Sequence, residues 1–307
     1  MTLRKFAKQV QSRVSERLGD SYQVRLQEVQ KNNNVRLQGL IILETGQNIS
    51  PTIYLENFYE AYGRGLAFEE IVENILRVYK EERPQKDIDM SFFKDFLQVK
   101  DRICYRLIAA GANKELLEKI PHVRFLDLAI CFYYAYEGEF LGSGTILIYN
   151  THVDMWKTTS EELLCLAGKN TPRIFPWECS SMETVVEEFL EEQYEHTGEV
   201  LLQESEQKRF LQEMPMQILS NQKRAHGAAV ILYSGLLKEI ADKLEESFYI
   251  IPSSIHEVIL LSASAMQTVS ELKCMIEEVN TTQVERQEIL SYSLYFYSRE
   301  EDSIKIL

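Results

Sequence analysis

Apolar residues recur at helical spacing from the start of the chain: Leu3, Phe6, Ala7, Val10, Val14 and Leu18, with Arg and Lys mostly on the opposite face. Gly19-Asp20 closes this helix. Tyr22, Val24 and Leu26 then alternate with Gln23, Arg25 and Gln27, the period of a strand. Lys31-Asn32-Asn33-Asn34 predicts a hairpin turn, because Asn tolerates positive φ, with the returning strand over 35–43. A short third strand over 51–55 and helices over 56–62 and 67–81 follow. Glu81-Glu82-Arg83-Pro84-Gln85-Lys86 is polar and broken by proline, which marks a boundary.

Beyond it, helical patterns run over about 92–109 and 113–119. The aromatic-rich, nearly continuous apolar run 125–136 predicts a central strand, paired with 145–150. Thr158/Glu161 and Thr159/Glu162 both fit a capping box and open a helix ending near Gly168. A helix over 182–195 sets its glutamates outward. Strands are predicted over 216–220, 227–233, 248–252 and 257–261, and helices over 234–244 and 268–279. A C-terminal strand through Tyr292, Leu294 and Phe296 returns after a polar turn at 299–303. Strands arriving in adjacent runs predict an α+β fold, with antiparallel or mixed sheets and flanking helices. The division expected is an N-terminal helix-hairpin-helix unit over 1–84 and a larger α+β domain over 85–307.

At 307 residues and 45% apolar, the chain can bury a core without disulfides or metals to staple it. Its five cysteines, an odd number without CxxC spacing, read as free thiols of a reducing compartment, with Cys131 and Cys165 in the core. The net charge of −14 argues against general nucleic-acid binding, which needs a basic surface. That charge is uneven. Ten glutamates between Trp177 and Leu211 face only Lys208 and Arg209, whereas Arg4, Lys5, Lys8, Arg13 and Arg17 face only Glu16 at the N-terminus. A basic amphipathic helix can lie on a membrane; with so little apolar bulk, this one is read as an ordinary packed helix. No secretory signal precedes it, and the longest apolar run, Leu128 to Tyr136, is far short of the ~20 residues that span a bilayer. A cytoplasmic protein is expected.

No complete catalytic or cofactor motif is present. Gly142-Ser143-Gly144 and Gly63-Arg64-Gly65 fail the dinucleotide fingerprint, and there is no Walker sequence, so no cofactor-binding residues are assigned. His256-Glu257 opens like a zincin motif, but Leu260 stands where the second histidine belongs. His122, Asp127, His152, His256 and Glu257 fall near predicted strand ends, where a looser metal site could form. The structural alternative, a hydrogen-bonded Asp127 and ordinary histidines, is favoured. Ser254 and His256, two apart in a strand, could meet on one side as nucleophile and base. The glycine-flanked nucleophile elbow is missing, and Pro252-Ser253-Ser254 reads equally as a turn.

Several strings taken together are distinctive: Lys31-Asn32-Asn33, Asn48-Ile49-Ser50-Pro51-Thr52-Ile53-Tyr54-Leu55, Pro121-His122 with Asp127-Leu128-Ala129, Asn170-Thr171-Pro172, Gly227-Ala228-Ala229 and Pro252-Ser253-Ser254-Ile255-His256-Glu257. On them the chain resembles a family of uncharacterised proteins, a domain-of-unknown-function group found in anaerobic gut bacteria, from the first helix to about residue 261 and on toward the end. The resemblance implies a bacterial cytoplasmic protein and an accessory role on mobile or conjugative elements; it carries no activity, cofactor or catalytic residue. The expected function is a non-enzymatic binding or interaction protein with a protein partner. The alternative is a hydrolase or metal-dependent enzyme using His256 and Glu257, with Ser254, Asp127, His122 or His152.

Overall fold

A computed structural model describes residues 1–83, 89–138, 142–184 and 216–307. The fold is α+β. It divides into two compact units, Met1–Lys94 with Tyr136–Gly144, and Asp95–Ala135 with Thr145–Leu307.

In the first unit, α1 (Leu3–Leu18) is capped by the Thr2 side chain, which accepts from the Lys5 N–H, and ends at Gly19 with φ 74°. Strands β1 (Tyr22–Gln30) and β2 (Arg36–Glu44) pair antiparallel, Tyr22 opposite Glu44 and Gln30 opposite Arg36. Asn33 and Asn34 turn the hairpin with φ of 57° and 56°, a region Asn enters at low cost. β3 (Thr52–Tyr54) flanks β2, and α2 (Glu56–Gly63) and α3 (Phe68–Glu82) follow. Phe6, Val10 and Val14 of α1, Leu40 and Ile42 of β2, and Ile71 and Ile75 of α3 are fully buried together, each contributing about 1.5–3 kcal/mol. Part of the basic face of α1 is neutralised locally: Arg13 and Arg17 pair with Glu69 at 3.0 and 2.5 Å, and the Arg13 hydrogen bond holds Glu69 below the usual carboxylate range.

Then come α4 (Phe96–Val99), β4 (Ile103–Ala109), α5 (Lys114–Leu117), β5 (His122–Phe125), β6 (Leu128–Gly138) and β7 (Gly142–Leu147), all in the second unit except the end of β6 from Tyr136 and the start of β7 to Gly144. The sheet order is β4-β6-β5, with β7 also pairing β6, so the aromatic-rich run is central as expected. Residues 103–109 are a strand, not the end of a helix. Both faces of β4 are covered, so its apolar positions run on without alternation and imitate a buried helix.

Two more helices follow. The first, α6 (Asn150–Trp156), takes up residues just past β7. The second, α7 (Ser160–Ile174), opens with the Thr159/Glu162 capping box and runs six residues past Gly168. Contacts to β4 carry it through Pro172: Asn170 Nδ2 donates to the carbonyls of Lys100 and Ile103 at 2.8 and 3.0 Å, and the Tyr105 N–H donates to Thr171 Oγ1 at 3.1 Å. Its buried positions Leu163, Ala167, Asn170 and Thr171 leave Cys165 on the other side; Cys165 is exposed, contrary to the core placement, whereas Cys131 is buried.

The remaining strands, β8 (Trp177–Ser181), β9 (Met216–Asn221), β10 (Phe248–Ile251), β11 (Val258–Ser262), β12 (Tyr295–Ser298) and β13 (Ser303–Ile306), form an antiparallel sheet ordered β13-β12-β10-β11-β9-β8. Helices α8 (Leu236–Leu244) and α9 (Val269–Thr282) accompany it; Leu272 and Ile276 of α9 are buried with Ile251 and Leu261 of the sheet. The expected strand over 227–233 is instead a 3-10 helix, Gly227–Leu232. Its small residues Gly227, Ala228 and Ala229 are all buried, and close packing of backbone overrides the extended preference of Val230 and Ile231. Most of the helix expected over 182–195 lies outside the described residues.

Candidate functional site

Arg106 occupies the middle of β4 and faces Cys131 of β6, which in turn faces His122 of β5. Residues directly opposite in a sheet share a face, so these three side chains form one row. Within it the Arg106 guanidinium has no counterion among the described residues. The Arg106 side chain makes no hydrogen bond or ion pair among the described residues, and its Nε is sealed from solvent without an acceptor. The groups that act on it electrostatically are Cys131, Tyr133 and Tyr149, none a carboxylate. Burial pushes the Cys131 thiol up to about 12 and raises Tyr133 as well, so both stay neutral. Burial also lowers the proton affinity of the Arg106 guanidinium, which nonetheless remains a cation at neutral pH. The residue keeps some accessible surface although protein encloses the guanidinium on nearly every side.

His226 reaches the same neighbourhood from the turn after β9. Asn221, 3% exposed, ties that turn: its Oδ1 accepts from the Lys223 and Ala225 N–H groups, and its Nδ2 donates to the Ala225 carbonyl at 2.9 Å. His226 then adopts φ 53°. Its ring lies 5.6 Å from that of Tyr133 and stacks on His256 at 5.9 Å and 11°. Its Nδ1 is buried without a partner. Burial, and then the charges at Arg106 and His256, push its imidazole down to about 3, so at neutral pH it is uncharged.

His256 sits in the bend before β11. Its Nδ1 accepts from the His226 N–H at 3.3 Å, which places the ring proton on Nε2, 3.8 Å from Glu288 Oε1. The bend is held by its neighbours. Ser220 Oγ donates to the His256 carbonyl at 2.8 Å, and the Ile255 N–H donates to the Glu288 carbonyl at 2.8 Å. Gly227 is where the two loops meet: a Cβ there would collide with Ser220 Oγ and the His256 carbonyl.

The other residues singled out from sequence are dispersed. Ser254 Oγ accepts from the His256 backbone N–H at 3.0 Å, so serine and histidine meet through the main chain and not as nucleophile and base. The Glu257 carbonyl accepts from the Ser254 N–H. Asp127, beside Leu126 at φ 54°, accepts three hydroxyl hydrogen bonds, from Ser291 at 2.6 Å, Ser293 at 3.1 Å and Tyr295 at 2.7 Å. His122 Nδ1 lies 3.1 Å from the Ile120 carbonyl. His152 Nδ1 accepts from the Tyr149 N–H at 3.0 Å, and its ring packs between Tyr149 and Trp156 while burial lowers its proton affinity. Among the described residues no group of three or more His, Cys, Asp or Glu side chains is placed to hold a metal ion. Of the singled-out residues, His256 lies against His226, and His122 shares the sheet face of Arg106 through Cys131. Arg106 and His226 were missed, though a lone charge inside the apolar run Ile103 to Ala110 was a visible signal.

The fold and this cluster define an α+β protein with a polar interior site and no assembled catalytic constellation among the described residues. The chain belongs to the family of unknown function DUF5688, whose model matches residues 3–299. No curated protein and no solved structure matches the chain.

Proposed function

We propose that this is a binding protein and not a catalyst. One observation carries the reading. The groups that could do chemistry are already engaged by the fold, while the unsatisfied groups are those suited to recognition. Asp127 accepts from three hydroxyls, and Ser254 Oγ accepts from the His256 backbone N–H. Arg106 cannot exchange a proton at neutral pH. His226, held near 3, is a weak base far from the pKa near 7 that general catalysis favours.

Other features support parts of this reading. The net charge of −14 disfavours general nucleic-acid binding, and no helix among the described residues is long and apolar enough to cross a membrane. The resemblance drawn from sequence adds a bacterial, cytoplasmic setting and an accessory role on mobile elements, and the uneven charge along the chain favours a protein partner. The competing enzyme reading rests on the presence of His256 in the cluster, with Glu257 next to it in sequence.

The test is a panel of ester, phosphoester and peptide substrates, run with and without divalent metal on the full chain and on His256→Ala and Glu257→Ala. No turnover above background is expected. Turnover in the wild type that disappears in either variant overturns the binding reading in favour of the hydrolase.

A further inference from the structure

We propose that Arg106 anchors a binding site for a small oxyanion, a carboxylate or a phosphate, and that His226 is its second contact. The inference rests on the binding reading above and gives it a ligand class. Two polar atoms in one neighbourhood are buried without partners, Arg106 Nε and His226 Nδ1. In the tautomer with its proton on Nδ1, His226 presents a second N–H within electrostatic reach of the guanidinium. Two unmet donors, one of them charged, define what completes them: a negatively charged acceptor with at least two oxygens. The guanidinium fork matches carboxylate and phosphate geometry for that reason.

Three observations favour an anion over other ways of satisfying these groups. Water can accept from Nε but leaves the charge uncompensated, whereas an oxyanion does both. The thiol and the phenol facing Arg106 are held neutral, so the protein supplies no counter-charge from them. The enclosure of the guanidinium restricts the ligand to a small molecule or a narrow terminal group, while the remaining accessible surface of the residue leaves a route from solvent. The long-range field of so acidic a chain repels anions. Binding therefore depends on short-range contacts in an interior of low dielectric, where screening is weak.

The experiment is a thermal titration of the full chain with inorganic phosphate and, separately, with acetate, against chloride at matched ionic strength. The same series is run on Arg106→Met. For the wild type, the melting temperature is expected to climb with the logarithm of the concentration of at least one oxyanion, by several degrees at a hundredfold excess over Kd. Which anion acts distinguishes the two ligand types. Arg106→Met is expected to lose the response while melting, in chloride, at or above the wild-type temperature, because it removes an unpaired buried charge. No response in either titration, or an equal response in the variant, overturns the site.

Should Arg106→Met fail to fold, the side chain has a structural role, and the site then stands or falls on the wild type alone. There, the 15N resonance of Arg106 Nε, assigned with Arg106→Lys, must move on adding phosphate or acetate and stay still in chloride. A flat titration together with absent turnover removes this site and leaves the binding reading standing; turnover removes the binding reading whatever the titration shows.

Discussion

Asp127 and Arg106 belong to the same small sheet region and carry opposite charge, and the fold treats them in opposite ways. Asp127, in the turn between β5 and β6, is met by three hydroxyls from residues 291–295, well over a hundred positions later in the chain. Arg106, in the middle of β4, meets a neutral thiol and a neutral phenol. A buried charge is costly unless paired or hydrogen-bonded. The first arrangement offsets that cost, and the second leaves it unmet among the described residues. The difference teaches that burial of a charge alone says little about function, and that the state of its partners decides.

The contrast can be broken most directly at its satisfied end. Hydrogen bonds to a charged group are worth about 1.5–3 kcal/mol each and are not additive, so Asp127→Ala, which orphans Ser291, Ser293 and Tyr295, should cost roughly 3–4 kcal/mol in urea unfolding. A loss below about 1 kcal/mol would mean that the hydroxyl cluster does not stabilise the fold.

The next effect sharpens the unsatisfied end. His226 is neutral in the fold down to about pH 3, whereas in the unfolded chain it takes a proton near its ordinary value. Its folded pKa is depressed, so the unfolded state binds more protons between these values. Stability therefore falls as pH drops through about 6.5 and levels off near 3. Between pH 7 and pH 4 the loss through this residue should be roughly 3 kcal/mol in chloride buffer. His226→Asn, which tolerates the positive φ, should flatten that slope. An equal slope in wild type and variant would show that His226 titrates normally, beside a guanidinium less enclosed than described. The smallest effect separates the three hydroxyls: Ser293→Ala, which removes the longest of the Asp127 contacts, should cost only about 1 kcal/mol.

Much of the architecture was legible in the sequence where the period was clean. The helix over 3–18, the asparagine turn at 31–34 and the central strand near 128–136 each carry a local signal strong enough to survive packing. The signal failed where both faces of an element are covered. β4 lost its alternation and read as helix, and with it went the chance to see Arg106 as the odd residue in a strand. Gly227–Leu232 failed for the converse reason, since β-favouring Val230 and Ile231 are packed into a 3-10 turn by contacts from distant loops. Of the site itself, His256 and His122 were singled out, but not the Arg106 and His226 they accompany. Their partners come from residues 106, 226 and 288, and no spacing along the chain announces a meeting that the loops at Asn221 and Gly227 arrange.

One further consequence lies along the outer side of β4. Its open hydrogen-bonding edge is occupied by Asn170 and Thr171, which take up the Ile103 carbonyl and the Tyr105 N–H. An edge strand without such cover is a template on which another chain can add a strand. The C-terminal turn of α7 thus stands where a further strand would otherwise add, so the side chains of a helix do for this edge what a neighbouring strand does elsewhere in the sheet.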